Sequence, residues 1–120
     1  MSFAVTDAVG NVLHSALNGL SMRQSVIADN IANVDTPGFR ARSVDFETAL
    51  SGAIEQGRIG SVTTGVSITP TDTPVGVNDN NVDLRKESIA AIQTQFQYQI
   101  MGRAVTDRAS RMSTAVGGGM

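Results

Sequence analysis

The chain has 120 residues, a formal net charge of −2 at pH 7, and neither cysteine nor tryptophan. This nearly even charge balance gives no electrostatic basis for binding nucleic acid or an anionic membrane. Without cysteine there is no disulfide framework and no thiolate site. Only 4% of the residues are aromatic, whereas compact domains bury much aromatic area. The composition therefore favours one thin, elongated, helical domain.

The first residues predict that the chain carries no cleavable signal peptide. Asp7 precedes every basic residue, and no apolar block of about 7–15 residues follows. No window reaches the roughly 18–20 apolar residues that a transmembrane helix requires. We therefore expect neither signal cleavage nor membrane insertion.

From Phe3 to about Asn33 the spacing of apolar residues predicts one long amphipathic helix. Its apolar residues recur at steps of three, four and seven: Leu13, Leu17, Leu20, Ile27, Ile31 and Val34. About 30 residues at ~1.5 Å each would form a rod of about 45 Å. Amphipathic helices are held mainly by packing, so this apolar stripe needs either a core within the chain or an external partner.

The segment 35–38, with the sequence DTPG, is predicted to end this helix. Pro37 lacks a backbone N–H and forces the residue before it out of the α region, so the helix must end near residues 33–35. Gly38 is expected to take a positive φ in the turn that follows. Asn30 and Asn33 carry short amides that can satisfy the unpaired backbone groups of the helix end.

The middle of the chain is predicted to be extended and irregular. Within residues 40–50, two apolar residues alternate with two polar ones as in a half-buried strand: Val44 and Phe46, Ser43 and Asp45. A short helical turn over residues 46–54 fits the sequence as well. Residues 57–81 are rich in Gly, Thr, Ser, Val and Pro, which excludes a helix and supports at most one weak hairpin. We expect an exposed loop or a partly disordered linker there.

Asp83 is a good helix N-cap before Leu84 and is predicted to open a second long helix. Its apolar residues follow steps of three and four: Tyr98, Met101, Val105, Ala109, Met112 and Val116, widened upstream by Ile89, Ile92, Phe96 and Ile100. We therefore divide a single domain into an N-terminal axial helix at residues 1–34, a turn, extended segment and flexible loop at 35–82, and a C-terminal axial helix at 83–120.

The predicted fold is dominated by α-helix, with two long terminal helices and a short extended and loop-containing middle. Two such apolar stripes can pair in one coiled-coil-like hairpin, or bury themselves against other copies in an intersubunit bundle. The scarcity of aromatic residues and the loop-rich centre favour assembly with other copies.

No residue pattern indicates catalysis or metal binding. His14 is the only histidine, and a metal site of the usual kind would need further histidine or cysteine ligands; a surface or packing role is expected instead. Asp45 and Glu47 have no base, nucleophile or pocket to serve. The glycines at 57–65 have neither a P-loop lysine nor a Rossmann spacing. We predict a protein that is not an enzyme and that binds no cofactor.

The stretch ADNIANVDTPGFR at residues 28–40 resembles the N-terminal signature of flagellar rod, hook and hook-associated axial proteins. The signature is Asn-Ile-Ala-Asn followed by a threonine-bearing turn and an aromatic residue, and it is matched here by Asn30, Ile31, Ala32, Asn33, Thr36, Pro37, Gly38 and Phe39. Three further features resemble proximal rod proteins: residues 40–46, Asn81 to Leu84 with Glu87, and the pair Tyr98 and Gln99. Ser43 and Phe96 depart from the family pattern, where acidic and arginine residues are common.

The resemblance implies a structural subunit of the flagellar basal body rod, the drive shaft of the flagellum. It implies type III export across the cytoplasmic membrane, helical assembly through the terminal helices, and torque transmission. The implied partners are other copies of the chain, rod proteins of the FlgC and FlgF type, the rod-to-MS-ring adaptor FliE and the export apparatus, with neither nucleic acid nor a small-molecule substrate. The implied subunit-interface residues are Asn30, Ile31, Asn33, Thr36, Pro37, Gly38, Phe39, Arg42, Val44, Asp45, Phe46, Asp83, Leu84, Tyr98 and Gln99.

Phe39 and Phe46 are expected to be exposed aromatic anchors of the intersubunit contact, with Pro37 and Gly38 fixing its direction. The alternative is that both rings pack on helices of their own subunit. At the level of function, the alternatives are another small rod subunit similar to FlgC or to the rod-to-ring adaptor, and a soluble helical-hairpin adaptor. A peptidoglycan-cutting enzyme would need a pair of acidic residues in a cleft, which the sequence does not suggest.

Overall fold

The computed structural model describes residues 3–57 and 67–117. In chain order the elements are α1 (Phe3–Ala32), β1 (Arg42–Asp45), α2 (Glu47–Glu55), β2 (Ser67–Pro70), a single 3₁₀ turn (Val77–Asp79) and α3 (Leu84–Gly117). The described chain extends over 66 × 28 × 14 Å. The prediction of a mainly helical protein with two long terminal helices is confirmed.

The turn after α1 forms where Pro37 and Gly38 predict it. The helix ends at Ala32, the backbone N–H of Phe39 donates to the carbonyl of Thr36 at 3.2 Å, and Gly38 has a φ of 76°. A positive φ is strained for any residue with a Cβ, so glycine permits this turn. The chain is thereby turned from the helix axis into an extended segment.

A two-stranded antiparallel sheet lies beside the helices. Arg42 of β1 is opposite Pro70 of β2, and Asp45 is opposite Ser67. The strand predicted within residues 40–50 is confirmed, as is the helical turn after it, which forms α2. Within residues 57–81 the sequence allowed at most one weak hairpin, whereas residues 67–70 form a strand that pairs with β1. Residues 58–66 of that predicted linker lie outside the described chain.

The core lies at one end of the molecule, where α1, β1 and α2 meet. α1 and α3 pack against each other along their length, but the buried cluster is confined to this end: Ala16, Leu20, Val26, Val44, Phe46 and Leu50, with Val12 and Met101 packed against it. The end of α1 and the segments that follow it form what we call the junction, residues 15–57 and 67–94.

The two faces of α3 differ from the single wide stripe expected. Glu87 and Thr94 are buried on the face toward α1, and Met101 and Val105 are half-buried there. The opposite face is apolar and exposed: Ile89 51%, Ile92 70%, Phe96 64% and Ile100 51%. The prediction that these four residues widen the buried stripe is wrong, because at 3.6 residues per turn they fall about half a turn from the buried positions.

Candidate subunit-interface site

Asn30 joins the last turn of α1 to the start of β1. Its side chain is fully buried, its Nδ2 donates to the carbonyl of Arg42 at 2.8 Å, and the backbone N–H of Arg42 donates to its Oδ1 at 3.1 Å. An asparagine amide offers one acceptor and two donors, so it pairs with Arg42 as a neighbouring strand would. Asn30 was expected to satisfy the end of its own helix; instead, it fixes β1 on α1.

Asn33 satisfies the end of the helix, as expected. Its Nδ2 donates to the carbonyl of Asp29 at 2.7 Å, and its Oδ1 accepts the hydroxyl hydrogen of Thr36 at 3.0 Å. One side chain thus closes the last turn of α1 and holds the first residue of the turn that follows. The two asparagines of the signature therefore have different roles: Asn33 satisfies the end of α1, and Asn30 fixes β1.

Asn80 and Asn81 bring the segment before α3 onto the same junction. The Nδ2 of Asn80 donates to the carbonyls of Asn33 and Thr36 at 2.9 and 2.8 Å. The Oδ1 of Asn81 accepts from the backbone N–H of Ala41 at 2.6 Å. Both side chains are buried. The sequence indicated only a turn here. The available signal was the pair of adjacent asparagines before a helix, because each side chain can both donate and accept hydrogen bonds.

Three arginine–carboxylate pairs surround the junction. They are Arg23 with Glu47, Arg40 Nη2 with Asp79 Oδ1 at 2.7 Å, and Arg42 Nη2 with Asp29 Oδ2 at 2.7 Å. Their side chains are all partly exposed, and such pairs contribute about 0–1 kcal/mol each. They orient β1, α2 and the segment before α3 relative to α1 more than they stabilise the fold.

Phe46 lies inside its own subunit, so the expectation that it is an exposed anchor is wrong. Its ring is 4% exposed and lies over Gly19 of α1, where a Cβ would overlap the ring. The guanidinium carbon of Arg23 is 4.9 Å from the ring centroid, within cation–π distance. Because Gly19 has no side chain, the ring of Phe46 can pack directly on α1. Phe39 is half-buried.

Two aspartates at the junction cap helices. The Oδ1 of Asp83 accepts from the backbone N–H of Lys86 at 3.1 Å at the start of α3. Asp45 accepts from the hydroxyl of Thr48 at 2.8 Å and from its backbone N–H at 3.2 Å at the start of α2. The hydroxyl bond to Thr48, followed by the backbone bond, lowers the pKa of Asp45.

The remaining predicted site residues divide by exposure. Val44 is buried and Ile31 is half-buried; Thr36, Pro37, Gly38, Arg42, Leu84, Tyr98 and Gln99 are exposed. The structure gathers residues 30–46 and 83–84 at the junction. Tyr98 lies 14 residues further along α3, about 20 Å away at 1.5 Å per residue. These residues therefore form two separate regions, the junction and the middle of α3.

The described contacts at the junction join one segment of the chain to another. Among residues 3–57 and 67–117 no three His, Asp or Glu residues are grouped so as to hold a metal ion. A shallow groove of about 380 Å³ between α1, the sheet and the start of α3 is lined by charges of both signs, including Arg23, Lys86, Glu87 and Asp72. In the same described ranges, no helix is long and apolar enough to cross a membrane.

Comparison with known families identifies the class to which this junction belongs. A family model described as Flagella basal body rod protein matches residues 11–40, which include most of α1 and the whole turn after it. The C-terminal part of α1 and the asparagine-fixed turn after it are thus similar to those of flagellar rod proteins.

The relatives define the family more closely. The chain is 31% identical over 120 residues to the flagellar basal body rod protein FlgB of Bacillus subtilis (strain 168), with 89% of this chain and 92% of the relative covered. It is 29% identical over 133 residues to FlgB of Escherichia coli (strain K12), covering 94% and 96%. It is 50% identical over 56 residues to FlgB of Yersinia enterocolitica, covering 47% and 39%.

The chain belongs to the FlgB family of flagellar basal body rod proteins. It is a structural subunit of the basal body rod, a class of protein that is not enzymatic, and it assembles with other rod proteins. Family membership therefore favours the rod-subunit interpretation of the sequence over the soluble adaptor.

Proposed function

We propose that the chain assembles helically through its terminal helices and transmits torque as part of the rod, after export by the flagellar type III apparatus. One observation carries this proposal: α3 packs one face on α1 and leaves an opposite face of large apolar side chains in solvent. An exposed apolar patch on a structural subunit is typically a contact surface. In an assembled rod this face would be buried by a neighbouring subunit.

The predicted site residues take two roles in this proposal. The exposed residues would contact neighbours directly: Thr36, Pro37, Gly38, Arg42, Leu84, Tyr98 and Gln99, with Phe39 and Ile31 at the margin. The others would position them from within the subunit: Asn30, Asn33, Val44, Asp45, Phe46 and Asp83. We also retain the division into axial helices at 1–34 and 83–120 and a connecting segment at 35–82.

The proposed neighbours are further copies of the chain, rod proteins of the FlgC and FlgF type, and the adaptor FliE. A helical tube gives each subunit neighbours on several sides, and heterologous contacts between different surfaces generate such assemblies. The outer face of α3 and the turn at residues 36–39 lie on different parts of the molecule, so they are suited to different neighbours.

Swimming of the source bacterium tests the proposed function. Deletion of the gene is expected to abolish swimming and basal body rods, and the wild-type gene to restore both. The variant Ile92→Ser with Phe96→Ser should fail to restore them, since it removes the apolar outer face of α3. The control, Gln95→Ser with Gln97→Ser, changes polar exposed residues of the same helix that lie outside the proposed contact residues, and it should restore swimming. Normal swimming of the deletion strain would contradict the proposal.

A further inference from the structure

The outer face of α3 is a compact apolar surface with a cation at each end. Its apolar residues are Ile89, Ile92, Phe96 and Ile100, all at least half exposed. They extend over 12 residues, about 17 Å of helix. Arg85 and Arg103 are exposed on the same face, one before and one after the apolar residues. A partner for this face must accept bulky side chains between two positive charges.

Two copies of this face are poorly suited to each other. If two α3 helices pair antiparallel with Ile92 opposite Phe96, then Arg85 of each copy is opposite Arg103 of the other. Parallel pairing places each arginine beside its own counterpart. Either arrangement brings like charges together at both ends, which is unfavourable at an interface. It also sets bulky side chains against bulky side chains, which keeps the helix axes far apart.

The outer face of α1 has the complementary form. Seven residues between 18 and 32 are exposed; Met22 and Gln24 flank a stripe of five that recur at steps of three and four and are small and uncharged, namely Asn18, Ser21, Ser25, Ala28 and Ala32. These five residues extend over 15 residues of the chain, about 21 Å of helix, which is comparable with the length of the apolar surface on α3. The hydroxyl of Ser25 already donates to the carbonyl of Ser21, so covering it leaves no new unpaired donor. Such a face lets bulky side chains approach the helix closely.

The two faces cannot meet within one chain. The buried residues of α1, including Leu20, Ile27 and Asn30, lie on the side of the helix opposite Ser21 and Ser25. The buried residues of α3 likewise lie opposite Ile92. Both outer faces therefore point away from the shared core, in different directions, and each requires a second molecule.

We propose that the apolar outer face of α3 in one copy packs on the small-residue outer face of α1 in the next copy. This pairing rests on the proposed assembly through the terminal helices and names the two surfaces that meet. The contact joins two different surfaces, so it is heterologous and repeats from copy to copy. The step of three and four on both faces gives a left-handed, near-parallel or near-antiparallel crossing of the helices.

Cysteine cross-linking in isolated basal bodies tests the pairing, and the chain has no native cysteine to interfere. Ser25→Cys with Ile92→Cys, oxidised with copper–phenanthroline, is expected to give a ladder of linked subunits. Ile92→Cys alone should stay monomeric on a denaturing gel. Ser25→Cys with Gln95→Cys is the matched control, because Gln95 is exposed on the flank of α3, and it should give no ladder.

The outcomes separate this pairing from the proposed function. Dimers from Ile92→Cys alone would show that α3 meets α3 and would overturn the pairing. Intact rods without any ladder from Ser25→Cys with Ile92→Cys would also overturn it, while leaving assembly through the helices unchanged. If the double variant makes no rods, the variant Ala28→Leu tests the pairing instead. Its larger side chain fills the small-residue face, so it should abolish swimming without changing the melting temperature of the isolated chain. Normal swimming of Ala28→Leu would overturn the pairing.

Discussion

The two ends of the molecule are held in different ways. At the junction, α1, β1, α2 and the start of α3 share a buried cluster, buried asparagines and three ion pairs. At the other end, α1 and α3 simply lie side by side. Residues 8–14 of α1 and 101–116 of α3 include no buried residue. A single chain thus provides a core for one end only.

This difference explains how a subunit can be stable enough to keep its shape and still depend on assembly. Regions with few buried apolar contacts open locally at low free energy, whereas core regions open only with global unfolding. The junction therefore carries the fold of the single chain, and in the proposed assembly the distal helices would gain their burial between copies. Each of the following variants changes one end of the molecule or one helix face, and its control leaves that end or face unchanged.

The largest effect is expected for Phe46→Ala. It removes a ring that is 4% exposed in the junction core and should lower the free energy of unfolding by about 3–5 kcal/mol. Phe96→Ala removes the same side chain from the exposed face of α3 and should change it by less than about 0.5 kcal/mol. Urea denaturation of both variants checks this. Equal losses would contradict the distinction between core and contact face.

Asn30→Ala should be the next most damaging change. It leaves the backbone N–H and carbonyl of Arg42 without their partner, and an unsatisfied buried group costs about 1–3 kcal/mol. Asn18→Ala, an exposed asparagine on the same helix, is the control and should be nearly neutral. The measurement is again urea denaturation, and a neutral Asn30→Ala would show that β1 is not held by this side chain.

Gly19→Ala is expected to destabilise the chain by about 1–3 kcal/mol through overpacking, because the new Cβ would overlap the Phe46 ring. Gly52→Ala is the matched control. A Cβ at Gly52 in α2 meets nothing within 4 Å, and alanine in a helix is favoured over glycine by about 0.5–1 kcal/mol. Thermal melting should therefore shift in opposite directions for the two variants. A shift in the same direction would refute the close approach of Phe46 to α1.

The smallest effect concerns pH and Asp45. Its pKa is lowered in the folded chain by Thr48, so its stabilising contribution is present above the unfolded pKa of about 3.9 and is lost as the pH falls through the lower folded value. Asp45→Asn should therefore lower the melting temperature slightly at neutral pH and reduce its fall below about pH 4. Asp72→Asn, at an exposed loop residue, is the control. An unchanged acid profile for Asp45→Asn would exclude this cap.

The sequence predicted the elements that depend on local chemistry. Pro37 and Gly38 end α1 by restricting the backbone, and Asp83 caps α3 through its own side chain, so both could be read from neighbouring residues. The burial of Phe46 could not be predicted in this way, because an aromatic residue that follows a strand can face either side of it. Its burial depends on Gly19, 27 residues earlier, which provides the space for the ring.

The faces of α3 and the pairing of β1 with β2 also depended on distant residues. Apolar spacing along α3 identified a helix, but the residues that are buried on its side toward α1 are Glu87 and Thr94, which a hydrophobic pattern does not select. The strand at residues 67–70 becomes a strand by pairing with β1. Asn80 and Asn81 indicated a turn, whereas their partners lie around 40 residues upstream.

Amide hydrogen exchange of the isolated chain, resolved by residue, tests the central claim most directly. We expect the slowest exchange in residues 16–30 of α1 and in β1, and markedly faster exchange in residues 103–116 of α3, although both are helical or paired in the structure. Equal protection along the whole of α3, or fast exchange at the junction, would contradict the account of a subunit with one end folded by itself and the other completed by assembly.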